Sequence, residues 1–476
     1  MINRIALPEY RPDQSNNSGV LLTAKNVIPA ADGYRSVGDV VEISDALAAA
    51  YQGGASAIAA DGEAYLLAGT STDLYTLNTS SGAWTSLVGS LAVTGRWRFV
   101  QFGDYVVAVN GTASTYEVDL DLGTAAAIGG APGATSVDVV RDFVVIGQAG
   151  GDISKVQWSG YRDHTGWTDG TNQAGSLTMQ KGGAVQMVVG GEYGIILQRE
   201  RIVRMDPTGD PDAPFEFNEI SANYGCAAPE TVAVAGKTIF FRSDRGFMAL
   251  EDGQVLLPIG SEMVDRTFDA LVSRANLTRI HSAVDPQNKL VFWLVPGAPG
   301  TIWVYNFELK RWATIEINAT GLFPGFSTSI KLDELDGLGY TDLDVMTISL
   351  DDPRWSGGDP RLYLVSSAYK VGTLTGDNLA AELELGNMEL SPGRQARVRG
   401  VRPFWDGTSG ITLTLIGRAR LGDVGTEVSA PTYRTTGMMP VRCKGRHIST
   451  TVNIAAATEW DYIQGLEFEF EQGGRR

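Results

Sequence analysis

A turn followed by a short run of β-branched and aromatic residues recurs about seven times along the chain. Asp61-Gly62 stands ahead of AYLLAG, Gly103-Asp104 ahead of YVVAV, Arg141-Asp142 ahead of FVVIG, and Gly191-Glu192 ahead of YGIIL. Gly236-Lys237 stands ahead of TIFFR, Gln287-Asn288 ahead of LVFWL, and Gly358-Asp359 ahead of RLYLV. Each run follows another strand-like stretch (SAIAA, RFVQF, SVDVV, VQMVV, TVAVA, HSAVD, DVMTISL), and most precede a third, such as LYTLN, TYEVD, VQWSG, IVRMD, FMALE and IWVYN. Short apolar runs bounded by turns are strands rather than helices. Self-similarity at roughly 40 to 70 residues predicts successive four-stranded antiparallel sheets, the signature of a β-propeller of about seven blades. The runs holding Tyr65, Tyr105, Phe143, Ile196, Phe240, Phe292 and Tyr363 are expected to be equivalent strands.

Two copies align closely. Leu74-Tyr75 and Asn78 before Trp84-Thr85 match Val304-Tyr305 and Asn306 before Trp312-Ala313-Thr314. A bulky ring at a fixed station fills the widening gap between blades, so packing is the reading for Trp84 and Trp312, with stacking on a sugar as the alternative. The 476 residues allow up to about three domains, although a propeller spends a long chain on one ring. With 57 Gly and 19 Pro, many tight turns are expected and long helices are not. The best helix candidate is residues 261–276, with a possible Ser261 cap and an apolar face of Met263, Val264, Phe268, Leu271 and Val272.

MINRIALPEYRPDQ lacks the apolar run of a signal peptide, and no stretch approaches the roughly 20 apolar residues that span a bilayer, so no membrane insertion is expected. Cys226 and Cys443 lie far apart in sequence and read as free thiols of a protein made in a reducing cytoplasm. Formal net charge is −17, unevenly distributed. After Leu390 come Arg394, Arg397, Arg399, Arg402, Arg418, Arg420, Arg434, Arg442, Lys444 and Arg446, against Asp406, Asp423 and Glu427 over the same span. The acidic body disfavours nonspecific nucleic-acid binding, which needs cations against phosphates. The basic stretch either docks an acidic partner or forms a solvated strand face.

At the same place the texture changes. RVRGVRPFW, ITLTLIGRARL, HISTTVNIA and IQGLEFEFE alternate apolar and polar residues, as strands with one wet and one dry face do. The expected organisation is an N-terminal extension (residues 1–20), a β-propeller (21–390, its blades between about residues 21 and 384) and a small C-terminal β-sandwich (391–476). Tyr34-Arg35-Ser36-Val37 and VVEIS precede the first full repeat and are expected to pair with the last blade, because an open ring would expose a sheet edge.

Chemical signatures are sparse. His164, His281 and His447 are far apart and fit no metal or triad motif; His281, in RIHSAVD, reads as a satisfied buried residue. A carboxylate pair facing a propeller channel would make a glycosidase, the main enzymatic alternative, though no intact S-x-D-x-G-x-x-W box is present and SSGAWTSL matches only the tail of one. In LDELDGLGYTDLD, Glu334, Asp336, Asp342 and Asp344 suggest calcium, but Leu332 occupies the place of the first ligand, and a solvated loop is the simpler reading. No Walker-type or strand-anchored G-x-G-x-x-G sequence occurs. The expectation is a rigid binding platform with no enzymatic turnover, cofactor or required metal, and fold alone does not choose its partner.

NVIPAADGYRSVG, VQWSGYRDHTGWT, YGCAAPETVAVAGKTIFFRSDRGFMAL, AVDPQNKLVFWLV and IWVYNFELKRWATI resemble segments of the tail-hub, or packaged-DNA stabilisation, proteins of short-tailed double-stranded-DNA bacteriophages. The similarity runs from about Asn26 to Trp312 and then thins to Arg-bearing strands through Arg446. Its most particular elements are the Gly225 to Pro229 turn and Ser243-Asp244-Arg245-Gly246-Phe247. The stretch of residues 319–352 departs from the pattern and reads as an insertion. Nozzle proteins of other short-tailed phages are also similar, but those compared are longer and carry several inserted domains.

The resemblance implies a virion protein assembled in the host bacterial cytoplasm as a homo-oligomeric ring, six copies in the family, beneath portal and adaptor. Such a ring extends the DNA channel without specific DNA binding, retains the genome, and carries a plug or needle and fibres or spikes. An acidic lining suits such a conduit, because carboxylates repel DNA whereas a basic wall would hold it. Cyclic symmetry needs two unlike patches on one subunit. Arg394, Arg397, Arg399 and Arg402 are accordingly expected at a subunit or adaptor interface, opposite carboxylates.

Overall fold

The structure, a computed structural model, describes residues 1–17, 19–79, 81–112, 114–327, 358–430 and 436–474. Seven four-stranded antiparallel blades follow one another around a ring, six as separate sheets and one as part of a larger sheet. Blade 1 comprises Tyr51–Ile58, Ala64–Thr70, Leu74–Leu77 and Trp84–Val88. Blade 2 comprises Arg98–Phe102, Tyr105–Val109, Ser114–Asp119 and Thr124–Pro132; blade 3 comprises Ser136–Val140, Phe143–Gly147, Lys155–Trp158 and Gly175–Thr178. Blades 4 and 5 begin with Val185–Val189 and Ala233–Ala235, and their second strands are Gly194–Gln198 and Thr238–Ser243. Blade 6 comprises His281–Asp285, Leu290–Val295, Gly300–Asn306 and Arg311–Ile317. Blade 7 takes Ala319–Phe326, Pro360–Ser366 and Val371–Thr373 from late in the chain and Val41–Glu42 from its start.

The seven equivalent runs are the second strands of the seven blades, as their common turn chemistry implies. Gly103 and Gly236 hold φ of +62° and +59° in the turns ahead of two of them, a region that Cβ-bearing residues enter at a cost. The runs are continuously apolar because both faces of a blade are buried. Val106 and Ala108 face blade 1, whereas Val107 and Val109 face blade 3, as a two-residue period dictates. Every gap between successive blades holds such a cluster, the last formed by Tyr51, Leu66 and Tyr75 of blade 1 with Phe323, Tyr363 and Val365 of blade 7.

Three sequence expectations change. The inner strand of blade 7 is Ala319–Phe326, within the stretch read as an insertion; DVMTISL and the acidic residues Glu334, Asp336, Asp342 and Asp344 lie outside the described residues. Of the N-terminal segments, Val41–Glu42 of VVEIS closes the ring, but Gly33–Ser36 does not join the last blade. It forms a hairpin with Val27–Ala30, and Tyr34 and Arg35 pair with Ile463 and Tyr462. The helix is shorter than residues 261–276, spanning Asp265–Leu271 before a 3₁₀ segment at Arg274–Arg279. Val264, Phe268 and Val272 are buried as expected, but Leu271 is exposed.

Sheet membership also divides the chain differently from residues 21–390 and 391–476. The ring strands lie between Val41 and Thr373. Leu21–Lys25 pairs in parallel with blade 6 at Thr314 and antiparallel with Ala381–Met388. Through that bridge blade 6 continues into His447–Ile454, Ile411–Arg418 and Thr426–Ala430, making one nine-stranded sheet. A six-stranded sheet contains the hairpin, Tyr462–Gln472, Ala396–Trp405 and Met439–Gly445, with Ile2–Ala6 along Tyr462–Gln472. Thus residues 1–20 are not merely an extension. Leu383, Leu413 and Val452 of the longer sheet share one core with Val398, Ile463 and Phe468 of the other and with Trp293 and Trp312 of blade 6.

Candidate functional site

Two regions carry charged side chains in a defined setting: the channel through the ring and the outer face of the six-stranded sheet. The channel holds a cavity of about 660 Å³ walled by the inner strands of the blades, with Arg96, Arg98, Asp138, Glu230 and His281 among its lining residues. Arg98 Nη2 lies 2.8 Å from Glu230 Oε1, with both side chains largely buried, and Arg98 Nη1 points at the Met187 sulfur. Arg96 Nη1 lies 2.8 Å from His281 Nδ1 and 2.5 Å from its Nε2, and Arg96 Nη2 donates to the Thr278 carbonyl at 3.3 Å. Burial, aided by the Arg96 charge, holds the His281 pKa well below the ordinary imidazole value, so this ring is neutral. His281 is therefore buried and hydrogen-bonded, as the sequence suggested.

Asp138, on the inner strand of blade 3, accepts from the backbone amides of Val139 and Gly190, each at 2.8 Å. Burial raises its pKa above the usual carboxylate value, and those two hydrogen bonds oppose the rise without cancelling it. Two carboxylates in contrasting settings thus line one cavity: Asp138 held by backbone amides with its pKa raised by burial, and Glu230 paired with a cation. Nothing in the local sequence signals this, because the two residues come from blade 3 and from the approach to blade 5.

On the outer sheet, Ala396–Trp405 buries Val398 and Val401 and turns Arg397 and Arg399 to solvent, with Arg402 half-buried. Arg394 is exposed in the turn before it, where its amide donates to the Ser391 carbonyl. Carboxylates of the same chain stand opposite Arg397, Arg399 and Arg402. Arg399 pairs with Glu471, Arg402 lies 3.3 Å from Glu467, and Arg397 stands in register with Glu471 on one side and Lys444 on the other. The face is striped: cations at Arg442 and Lys444, cations at Arg397 and Arg399, then Glu467, Glu469 and Glu471, then Arg4 on the N-terminal strand. The glutamates of LEFEFE, beyond Arg446, supply the opposing stripe. Arg434 lies outside the described residues.

The remaining singled-out residues have packing roles. Trp312 is fully buried, and its Nε1 donates to the Ile259 carbonyl at 3.0 Å; Trp84 is half-buried, and its Nε1 donates to the Asp45 carbonyl at 3.0 Å, beside the closing strand. His164 lies 2.7 Å from Glu117 and against the Tyr105 ring; His447 lies 3.6 Å from Glu389. Cys226 and Cys443 are both free and buried. Burial pushes the Cys226 thiol up to about 12, which leaves it protonated and inert as a nucleophile. Among the described residues no cluster of three or more His, Cys, Asp or Glu is arranged to hold a metal ion, and no helix is long and apolar enough to cross a membrane.

No family model and no curated protein matches the chain. Among solved structures it is similar to BamB from Moraxella catarrhalis (13% identity, 78% of this chain and 97% of that one, TM-score 0.39). It is also similar to BBS1N solved in complex with ARL6DN (13% identity, 71% and 97%, TM-score 0.42) and to a chain of a mitotic checkpoint complex (10% identity, 72% and 95%, TM-score 0.40). Overlaps this loose say nothing of this chain's function; the architecture rests on the strand pairing itself.

Proposed function

We propose that this protein is a non-catalytic structural subunit of the tail-hub type, forming a homo-oligomeric ring, of six copies as in that family, below the portal and adaptor of a short-tailed bacteriophage virion. In that role it extends the DNA channel, retains the packaged genome and anchors needle, plug or fibre proteins. The observation that carries this reading is the striped outer sheet. Rows of exposed cations and anions sit on a layer whose other side is fused into the propeller core, so the face is rigid and can set the register of a neighbour. The segments that resemble hub proteins support it, since they form the Val27 to Ser36 hairpin and parts of blades 3, 5 and 6 rather than scattered surface. Mass measurement of the purified protein, alone and with the neighbouring virion proteins, tests it. A ring, alone or upon adding portal and adaptor, is expected; a monomer that ignores both excludes it.

One observation favours a second reading, a glycosidase or glycan-binding propeller: Asp138, its pKa raised by burial, and Glu230, paired with Arg98, line the same cavity, and two carboxylates in unlike surroundings can divide the roles of acid and base. Hydrolysis of capsule or lipopolysaccharide glycans by the purified protein, abolished by Asp138→Asn, would establish it. Inactivity on those glycans leaves the structural role.

A further inference from the structure

Where the inner strands begin, the channel opens into a second cavity of about 400 Å³, lined by Gln52, Arg96, Arg98, Gln148, Gln186 and Glu230. Arg96 and Arg98 border both cavities, but their electrostatic situations differ. Arg98 is neutralised by Glu230. Arg96 is half-buried, and both groups it donates to, the neutral His281 ring and the Thr278 carbonyl, carry no charge. Among the described residues it forms no ion pair, and loss of hydration pulls its pKa downward, with Glu230 only partly opposing.

A desolvated cation with no carboxylate in contact is costly, and side chains held this way elsewhere are paired or bind an anion. The guanidinium fork matches carboxylate and phosphate oxygens. The space beside it is far larger than an inorganic ion requires. At about 660 Å³ the channel cavity falls within the range of organic ligand sites, and its wall is partly apolar, with Phe99, Val188 and Ala283. Around the smaller cavity the amides of Gln52 and Gln186 and the hydroxyls of Thr94 and Thr135 offer hydrogen bonds to a hydroxylated body.

We propose that the propeller channel is a binding site for a small organic anion, with its carboxylate or phosphate on Arg96 and its body in the cavity against Phe99 and Val188. The site lies within one ring of blades and does not depend on subunit assembly. Calorimetric titration of the full chain with glucose 6-phosphate, glucuronate and glucose tests it, since the three share a hexose body and differ in the charged group. At least one charged probe is expected to bind about tenfold or more tightly than glucose, and the tighter of the two identifies the head group. Arg96→Gln is expected to reduce that binding by about tenfold or more. Should that variant fail to fold, Gln186→Glu, which places a repelling charge at the mouth, is expected to weaken the same probe comparably. Glucose binding as tightly as both anions, no probe binding in the millimolar range, or unchanged affinity in the folded variant overturns the site.

Discussion

Asp13 and Thr267 are joined through one carboxylate oxygen: Asp13 Oδ1 accepts from the Thr267 backbone amide at 2.8 Å and from its hydroxyl at 2.7 Å. Asp13 Oδ2 accepts from the Arg266 amide, also at 2.8 Å. The helix Asp265–Leu271 receives no side-chain cap from its own flanking residue, Val264. Its free amides are satisfied instead by a residue from the far end of the chain, which also places negative charge at the positive end of the helix.

Asp13→Ala is therefore expected to destabilise the protein by about 1–2 kcal/mol. The readout is the urea midpoint at unchanged slope. Asp13→Asn, which keeps an accepting oxygen, should lose less. Equal midpoints for wild type and Asp13→Ala would show that the N-terminal strap does not hold this helix.

The two aligned tryptophans should behave differently. Trp312 is fully buried against Phe247, Trp293 and Tyr305, so Trp312→Ala leaves a large cavity and should cost about 3–5 kcal/mol. Trp84 is half-buried at the edge of blade 1, and Trp84→Ala should cost about 1–2 kcal/mol. Thermal unfolding of both variants checks the order; a reversed ranking would mean that ring closure, rather than the shared core, limits stability.

Asp138 links stability to pH with a definite sign. Its native pKa lies above the unfolded value of 3.8, so the native state holds its proton more tightly. The stabilisation is fully present below 3.8 and is lost as pH rises through the raised native value. Carboxylates held low, such as Glu389 beside the Gly393 amide and Arg446, slope the other way, so wild type must be compared with Asp138→Asn. The stability difference, wild type minus variant, should fall as pH rises from about 3 toward neutrality. A flat difference would contradict the raised value.

Reversing the charge of Arg394, Arg397, Arg399 and Arg402 together should leave a folded monomer, because exposed ion pairs contribute only about 0–1 kcal/mol each. Assembly into the ring or onto portal and adaptor should weaken, since reversed cations beside Glu467, Glu469 and Glu471 turn a striped face into an anionic one. Sedimentation of wild type and variant with the neighbouring proteins measures it. Normal assembly and DNA retention by the quadruple variant would make the strip a solvated face.

The ring was legible because its strands are buried on both sides. YVVAV and FVVIG are apolar throughout, and their turns recur at one station, so seven second strands could be read without knowing their neighbours. What was not legible depends on pairing across the whole chain. Gly33–Ser36 looks equally suited to a blade edge or to a hairpin, and only its register with Tyr462 and Ile463 decides. The arginine strip was visible as alternation, but its counter-charges lie far along the chain on Tyr462–Gln472, and only strand pairing brings them alongside. Arg96, Asp138, Glu230 and His281 belong to different inner strands and approaches, and no spacing rule links residues that a ring closure alone brings together.

The pairing of Ile2 with Glu469 and of Val41 with Thr373 has a consequence for how the molecule is made. During synthesis Ile2–Ala6 and Val41–Glu42 leave the ribosome long before the strands they pair with. Blades 1 to 6 hold all four of their strands in sequence and can form in order as they emerge. Blade 7 cannot be completed until Val371–Thr373 has been translated, nor Ile2–Ala6 paired until Tyr462–Gln472 has. Until then these two strands wait unpaired, so the nascent protein carries open sheet edges through a long part of its elongation, the interval in which it is most exposed to wrong pairing.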